Sequence, residues 1–288
     1  MIAIAGGKGG CGKTTTTLGI ARALLDAGIG ARAVDLDAGM PNLHRMADVD
    51  RDPSLTTAVD PEQSGAIQRD SDGAQIVPAP RALGDLDVPR ALDRIRPRDG
   101  VALLDCPAGA GPAATAPLRE ADATILVTTS RAESVEDAAK TGRMARSLGV
   151  PVLGAVVTRT QRVSQGTASE LAAERTVAIP TRREPLTDHA VREQYGEVAS
   201  WIEGWLGERR REQRSNGQPD EATSNRHGGA ANSEHSEIDT CPSCGGIRRA
   251  RSGEARSTGR RDRRSRRSRD PGDTRSSSRG GGALSGRQ

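Results

Sequence analysis

The chain has 288 residues, 34% hydrophobic and 28% charged, and its 42 basic and 38 acidic side chains give a formal net charge of +4. That is room for one α/β domain of ordinary size with something to spare. Four cysteines do not make a disulfide framework, no run of about 18 apolar residues exists to span a bilayer, and an apolar stretch from residue 2 leaves no place for a signal peptide, so a cytoplasmic protein is expected.

The first predicted element is a buried strand, Ile2-Ala3-Ile4-Ala5. Residues 6–17 follow as GGKGGCGKTTTT, and then Leu18, Ala21, Leu24 and Leu25 recur at helical spacing, with Gly28 placed to cap the helix end. Strand, glycine loop and helix are the context in which G-x-x-x-x-G-K-[ST] cradles phosphate, and Gly7 through Thr14 meet that pattern. Gly7, Gly9, Gly10 and Gly12 let the backbone curl its N–H groups toward an anion, and the helix N-terminus adds partial positive charge. Lys13 is then expected to reach the β- and γ-phosphates, and the Thr14 hydroxyl to sit on Mg²⁺. Only three lysines occur in the chain, and two of them, Lys8 and Lys13, lie in this loop. One suffices to hold a phosphate, so Lys8 asks for a different explanation.

A second strand is expected over Ala31–Asp37, ending in acid, and an apolar strand over Val101–Asp105 carries a carboxylate at its C-terminal end. A strand-end Asp opposite a phosphate loop is what Mg²⁺ needs, usually through a water. Further strands are expected at 124–128, 152–157 and 176–179, with helical patterns between them. The alternation predicts an α/β fold: a mainly parallel sheet with helices on both faces and its ligand site at the carboxyl ends of the strands. Asp35, Asp37 and Asp105 all fall there.

With these residues in place the chain resembles the MinD/ParA family of ATPases, in particular its MinD branch, over about residues 1–207. The loop with its extra upstream lysine is similar to that family's deviant Walker A motif. Asp35-Leu36-Asp37 with Asn42-Leu43 is similar to its switch I, and Asp105-Cys106-Pro107-Ala108-Gly109 to its D-x-P-A-G sequence. The resemblance implies a P-loop NTPase fold, ATP and Mg²⁺ as ligands, hydrolysis to ADP and phosphate, an ATP-sandwiched homodimer and an activating partner protein. Lys8 would reach across the dimer to the partner's bound phosphates, as an arginine finger does. Asp37 would position the attacking water, Asp35, Asp105 and Thr14 would organise Mg²⁺, and Asn42 would steady switch I. Nucleotide contacts are implied for residues 7–15 of the loop (with Cys11 and Thr15 among them), Asn42, Gly109, Arg159 and Pro180. The family's adenine-reading Asn-Arg pair is here Thr158-Arg159, and Thr offers only a hydroxyl.

Tyr195, Val198, Trp201, Ile202, Trp205 and Leu206 follow helical spacing, with Arg209, Arg210 and Arg211 behind them. Such a helix either completes the domain core or lies on an anionic membrane surface; the core is the expectation, with peripheral membrane attachment as the alternative. Residues 1–210 carry a net −3 and residues 211–288 a net +7. The latter are Ser, Gly and Arg with few apolar side chains, so the expected division is an ATPase domain over 1–207 and a disordered tail over 208–288. Within the tail, Cys241-Pro-Ser-Cys244 is half of a zinc ribbon, which two chains could complete for zinc or an iron–sulfur cluster. The arginine run beyond it would bind nucleic acid or an anionic membrane surface without sequence preference. The expected function is an ATP-dependent dimerisation switch for spatial positioning at a division site, of cargo, or of DNA. The alternatives are an Mrp-type iron–sulfur carrier using Cys241 and Cys244, and a nucleotide-binding module without turnover.

Overall fold

The computed structural model describes residues 1–60, 65–81, 86–109 and 111–216. Among these, eight strands form one sheet: β1 (Ile2–Ala5), β2 (Ala31–Asp35), β3 (Gln68–Arg69), β4 (Gln75–Val77), β5 (Val101–Asp105), β6 (Ala123–Thr129), β7 (Val152–Thr158) and β8 (Thr176–Ile179). Their order across the sheet is β3-β4-β2-β5-β1-β6-β7-β8, parallel throughout except where β3 meets β4. The helices are α1 (Lys13–Asp26), α2 (Leu43–Met46), α3 (Val88–Ile95), α4 (Pro112–Glu120), α5 (Ala132–Ser147), α6 (Gln165–Leu171) and α7 (His189–Asn216).

Both faces of the sheet are covered, which is why its inner strands read as continuous apolar runs rather than alternating ones. Ile2 and Ile4 of β1 turn to one face, where they join Leu18, Ile20 and Leu24 of α1 and Val191, Val198 and Ile202 of α7. Ala3 and Ala5 turn to the other, with Leu92 of α3, Leu118 of α4 and Ala145 of α5. The fold is therefore the expected α/β class.

Helix α1 closes as its glycine suggested. Gly28 takes φ 76, its N–H donates to the Leu25 carbonyl at 2.9 Å, and the Ile29 N–H donates to the Leu24 carbonyl at 2.8 Å. This is a Schellman ending, which satisfies carbonyls that the last turn leaves unpaired.

Helix α7 resolves the two readings of the aromatic segment in favour of the core through Ile202. Tyr195 is 1% exposed and Trp201 7%, while Val198 and Ile202 are fully buried. Two glycines make the room: a Cβ on Gly19 of α1 would stand 2.3 Å from the Tyr195 ring, and one on Gly154 of β7 would stand 2.5 Å from Trp201. In a chain without Phe, these sockets let the large aromatics fill space that Ala, Val and Leu leave open. Trp205 and Leu206 pack half-buried at the edge of the same cluster, and the helix continues to Asn216. No helix among the described residues is long and apolar enough to cross a membrane. Cys241, Cys244 and the arginine run lie outside the described residues.

Candidate functional site

Strand β1 runs between β5 and β6, so the loop that leaves it emerges at the middle of the sheet's carboxyl edge. There is little space at the start of the loop. A Cβ on Gly6 would fall 2.2 Å from the Val127 carbonyl oxygen, and one on Gly7 would fall 2.2 Å from Asp137 Cβ on α5. The loop then curls, with Gly10 at φ 74 and Gly12 at φ 98, the left-handed conformations that gather successive N–H groups around an anion. Gly12 precedes α1 directly, and the first helical bond to form is Thr16 N–H to the Gly12 carbonyl at 2.9 Å. The N–H groups of Lys13, Thr14 and Thr15 are therefore left for a ligand. Lys13, at the head of the helix, is only 7% exposed.

This loop forms one wall of a cleft of about 450 Å³, with Asp37, Asn42 and Arg45 from the segment after β2, Ala108 from the segment after β5, and Arg159 from the end of β7. A smaller cleft of about 190 Å³ adjoins it, sharing Gly12, Thr15 and Arg159 and adding Thr158, Ile179, Pro180 and Tyr195. Pro180 thus lines the second cleft and not the first. Gly109, at φ 94, follows Ala108 at the rim.

Beneath the loop two carboxylates face each other across neighbouring strands. Asp35 and Asp105 are register partners at the ends of β2 and β5, 0% and 1% exposed. Asp35 accepts the N–H groups of Asp37 at 3.0 Å and Leu43 at 3.2 Å. These bonds turn the chain out of the sheet, so the strand expected to run to residue 37 stops at Asp35. Asp105 accepts from the Thr17 hydroxyl at 3.4 Å. Burial pushes the Asp35 carboxyl up to about 6, and burial together with the Asp35 charge pushes Asp105 up to about 7. Asp37 is only half-buried, and its carboxylate accepts the Met40 N–H at 3.0 Å.

Two buried carboxylates beside a threonine hydroxyl, Thr14, form an oxygen donor set that suits Mg²⁺. The unpaired amides and buried lysine alongside suit a polyphosphate. Without a cation the acid pair is a liability. Both shifts are upward, so folding favours the protonated acids. That stabilisation is complete below about pH 4 and is lost as pH rises through about 6 and about 7. In chelator-treated protein, Asp105→Asn is therefore expected to raise Tm at pH 8 by roughly 4 °C or more. The gain should be clearly smaller at pH 5 and vanish only below about pH 4, as thermal unfolding across that range would show; an equal gain at pH 8 and pH 5 would contradict the linkage.

The remaining expected positions divide. Cys11 is 2% exposed with its thiol on the Val127 carbonyl at 3.4 Å, so only its backbone belongs to the loop's ligand side. Asn42 is exposed, and its amide donates to the Met40 carbonyl at 3.0 Å, holding the turn after Asp37. Arg159 takes a left-handed φ of 60 and donates to the Gly10 carbonyl at 2.8 Å. Lys8 does not turn into its own phosphate cleft: its ammonium pairs with Glu133, in the first turn of α5, at 2.8 Å, and both side chains are exposed. Met40, Arg45 and Met46 line the main cleft without having been anticipated, and Ala108 of the D-x-P-A-G sequence lines it too. Arg45 lies three residues beyond Asn42, the one local cue available.

The CobQ/CobB/MinD/ParA nucleotide-binding domain family matches residues 2–190. The chain is 30% identical over 172 residues to an uncharacterized ATP-binding protein of Methanocaldococcus jannaschii, a match that covers 57% of this chain. It spans 65% of that relative's length. Among solved structures it is similar to the cell division ATPase MinD of Pyrococcus furiosus, with a TM-score of 0.61 and 24% identity over 71% of this chain and 98% of that one. It is also similar to the septum site-determining protein MinD of Pyrococcus horikoshii complexed with Mg-ADP, with a TM-score of 0.55 and 27% identity over 68% of this chain and 84% of that one.

Proposed function

The chain belongs to the CobQ/CobB/MinD/ParA nucleotide-binding family, and from that premise we propose that it is an ATPase whose ATP-bound form dimerises and acts as a positioning switch. One observation carries the reading: a buried Lys13 heads α1 within electrostatic reach of Asp105, whose in-register partner is Asp35. Lys13 and the first-turn amides would hold the β- and γ-phosphates. Thr14, Asp35 and Asp105 would hold Mg²⁺, which supplies charge neutralisation at the phosphate oxygens when bound. Asp37, which lines the cleft and is the least buried of the three acids, would orient the attacking water.

The dimeric part rests on Lys8. Its side chain is 54% exposed and points away from the cleft its neighbours line, toward Glu133. A lysine in that position serves a phosphate outside its own protomer more readily than one inside it. The relatives named for cell division support a positioning role by likeness, with an activating partner as the remaining component.

If hydrolysis needs two chains, Mg²⁺-dependent phosphate release per mole of protein is expected to rise with protein concentration and to level off once dimers predominate. A constant specific activity across a hundred-fold dilution that reaches well into monomer would leave a monomeric ATPase and remove the switch.

A further inference from the structure

A cleft of about 240 Å³ opens at the amino ends of the strands, where Val101 begins β5 and Asp122 precedes β6, at the opposite end of the sheet's strands from the phosphate loop. Four arginines line it: Arg96 and Arg98 from the turn between α3 and β5, and Arg209 and Arg210 from α7. Asp122 is the one carboxylate among the described lining residues, which leaves the side chains of the cleft at a net +3. Residues 1–210 as a whole carry −3, so positive charge is gathered here rather than spread.

Packing within the domain accounts for two of the four. Arg96 follows α3, where a cation suits the helix C-terminus, and its guanidinium donates to Asp122 at 3.1 Å. Arg209 pairs with the same carboxylate at 3.2 Å and lies over the Trp205 ring, 5.0 Å from its centroid. The Met1 ammonium also pairs with Asp122, so one carboxylate already serves three cations. Arg98 and Arg210 have no such partner. Both are exposed, and neither forms an ion pair or a side-chain hydrogen bond among the described residues. Asp99, Glu208 and Glu212, the carboxylates nearest to them in sequence, are exposed and pair with neither. Like charges held in one cleft repel, and its walls concentrate their field, so the arrangement favours an anion of more than one charge.

We propose that this cleft binds a small soluble phosphorylated compound carrying at least two negative charges, with its phosphoryl oxygens on Arg98 and Arg210. A guanidinium offers paired N–H donors in the geometry that phosphate accepts, and two unpaired guanidiniums offer that fork twice. The volume falls below the roughly 300 Å³ at which pockets for larger organic ligands begin, so the phosphoryl group makes up much of the occupant. A lipid headgroup in a bilayer fits less well. Trp205 and Leu206 pack half-buried against the core and Arg209 lies over the indole, so neither side chain is free to enter a membrane.

The chain's two tryptophans make the test local, because Trp201 is buried in its glycine socket and Trp205 lines the cleft. The full chain is titrated with pyrophosphate, with divalent cations chelated and ionic strength held constant with chloride, while tryptophan emission is followed. A saturable change is expected, and Trp205→Phe should abolish it. Arg98→Gln and Arg210→Gln replace exposed, unpaired side chains, so both proteins should fold and bind ATP with Mg²⁺ as the parent does. Each is nevertheless expected to raise the half-saturating pyrophosphate concentration by about tenfold, the scale of one lost charge-assisted hydrogen bond. The absence of a saturable change would overturn the inference, as would unchanged half-saturation in both arginine variants. A change produced by phosphatidylglycerol vesicles and not by pyrophosphate would overturn it too, since the occupant would then be a membrane.

Discussion

Lys13→Ala is expected to weaken Mg²⁺-dependent ATP binding by at least about 100-fold, the scale on which removing one partner of a desolvated charge pair is felt. The position explains the size. Lys13 is 7% exposed and begins α1, so its ammonium meets phosphate in a setting where water competes poorly. Its charge also offsets Asp105, against which it acts to lower the carboxyl's affinity for protons. Losing it leaves both a triphosphate and an acid pair without their nearest cation. Because that could also loosen the apo fold, Lys13→Met, which keeps most of the apolar stem, should be measured beside it. Calorimetric titration with ATP, with and without Mg²⁺, decides the matter. Tight metal-dependent binding by either variant would show that the phosphates sit elsewhere.

Much of this site was legible before any coordinates, for a physical reason. A phosphate loop is specified locally: glycines at required φ values, a lysine and a hydroxyl at the helix head, an apolar strand before them. Gly10, Gly12 and Gly28 take the left-handed φ values their spacing suggests, and Lys13 stands at the head of α1. Buried parallel strands such as β1, β5 and β6 are equally plain, because burial on both faces leaves an uninterrupted apolar run. The short strands β3 and β4 at one end of the sheet, two and three residues long, have no such run; Ile76 and Val77 join the core from β4, but two apolar residues there and none in Gln68-Arg69 are too few to announce a strand. Contacts between distant residues were equally silent. Thr158 reads as a free hydroxyl until β7 brings it under the Cys11 carbonyl, 147 residues away in the chain. The socket of Gly19 for Tyr195 and the pairing of Lys8 with Glu133 are of the same kind. Sequence spacing specifies what one element needs, and the sheet order decides what a side chain meets.

Lys8 and Asp37 should fail in opposite ways. With Lys8→Ala the loop amides, Lys13 and Thr14 remain, so the monomer is expected to bind ATP. Two facing triphosphates would nonetheless lack the cation that offsets their repulsion, so no ATP-stabilised dimer should form. Turnover should fall by about 10³-fold, the lower end of what a trans-acting arginine supplies. Asp37→Ala should instead give a dimer that persists with ATP and Mg²⁺ because it cannot turn over. Asp37→Asn is the better-behaved partner to that variant, since its amide oxygen can still accept the Met40 N–H that shapes the turn. Size-exclusion chromatography with light scattering would show a monomer for the first and lasting dimers for the others. The structure also supplies a control. Lys8 and Glu133 form an exposed ion pair within one chain, a weak hold that water and salt can replace. If that pair were all Lys8 does, Glu133→Ala would reproduce the loss of Lys8. If Lys8 acts on the partner's phosphates, Glu133→Ala frees it for that role, and dimerisation and turnover should both survive. A Lys8→Ala protein that dimerises and hydrolyses normally would rule out the trans role and leave the second lysine of the loop with no more than its surface pair.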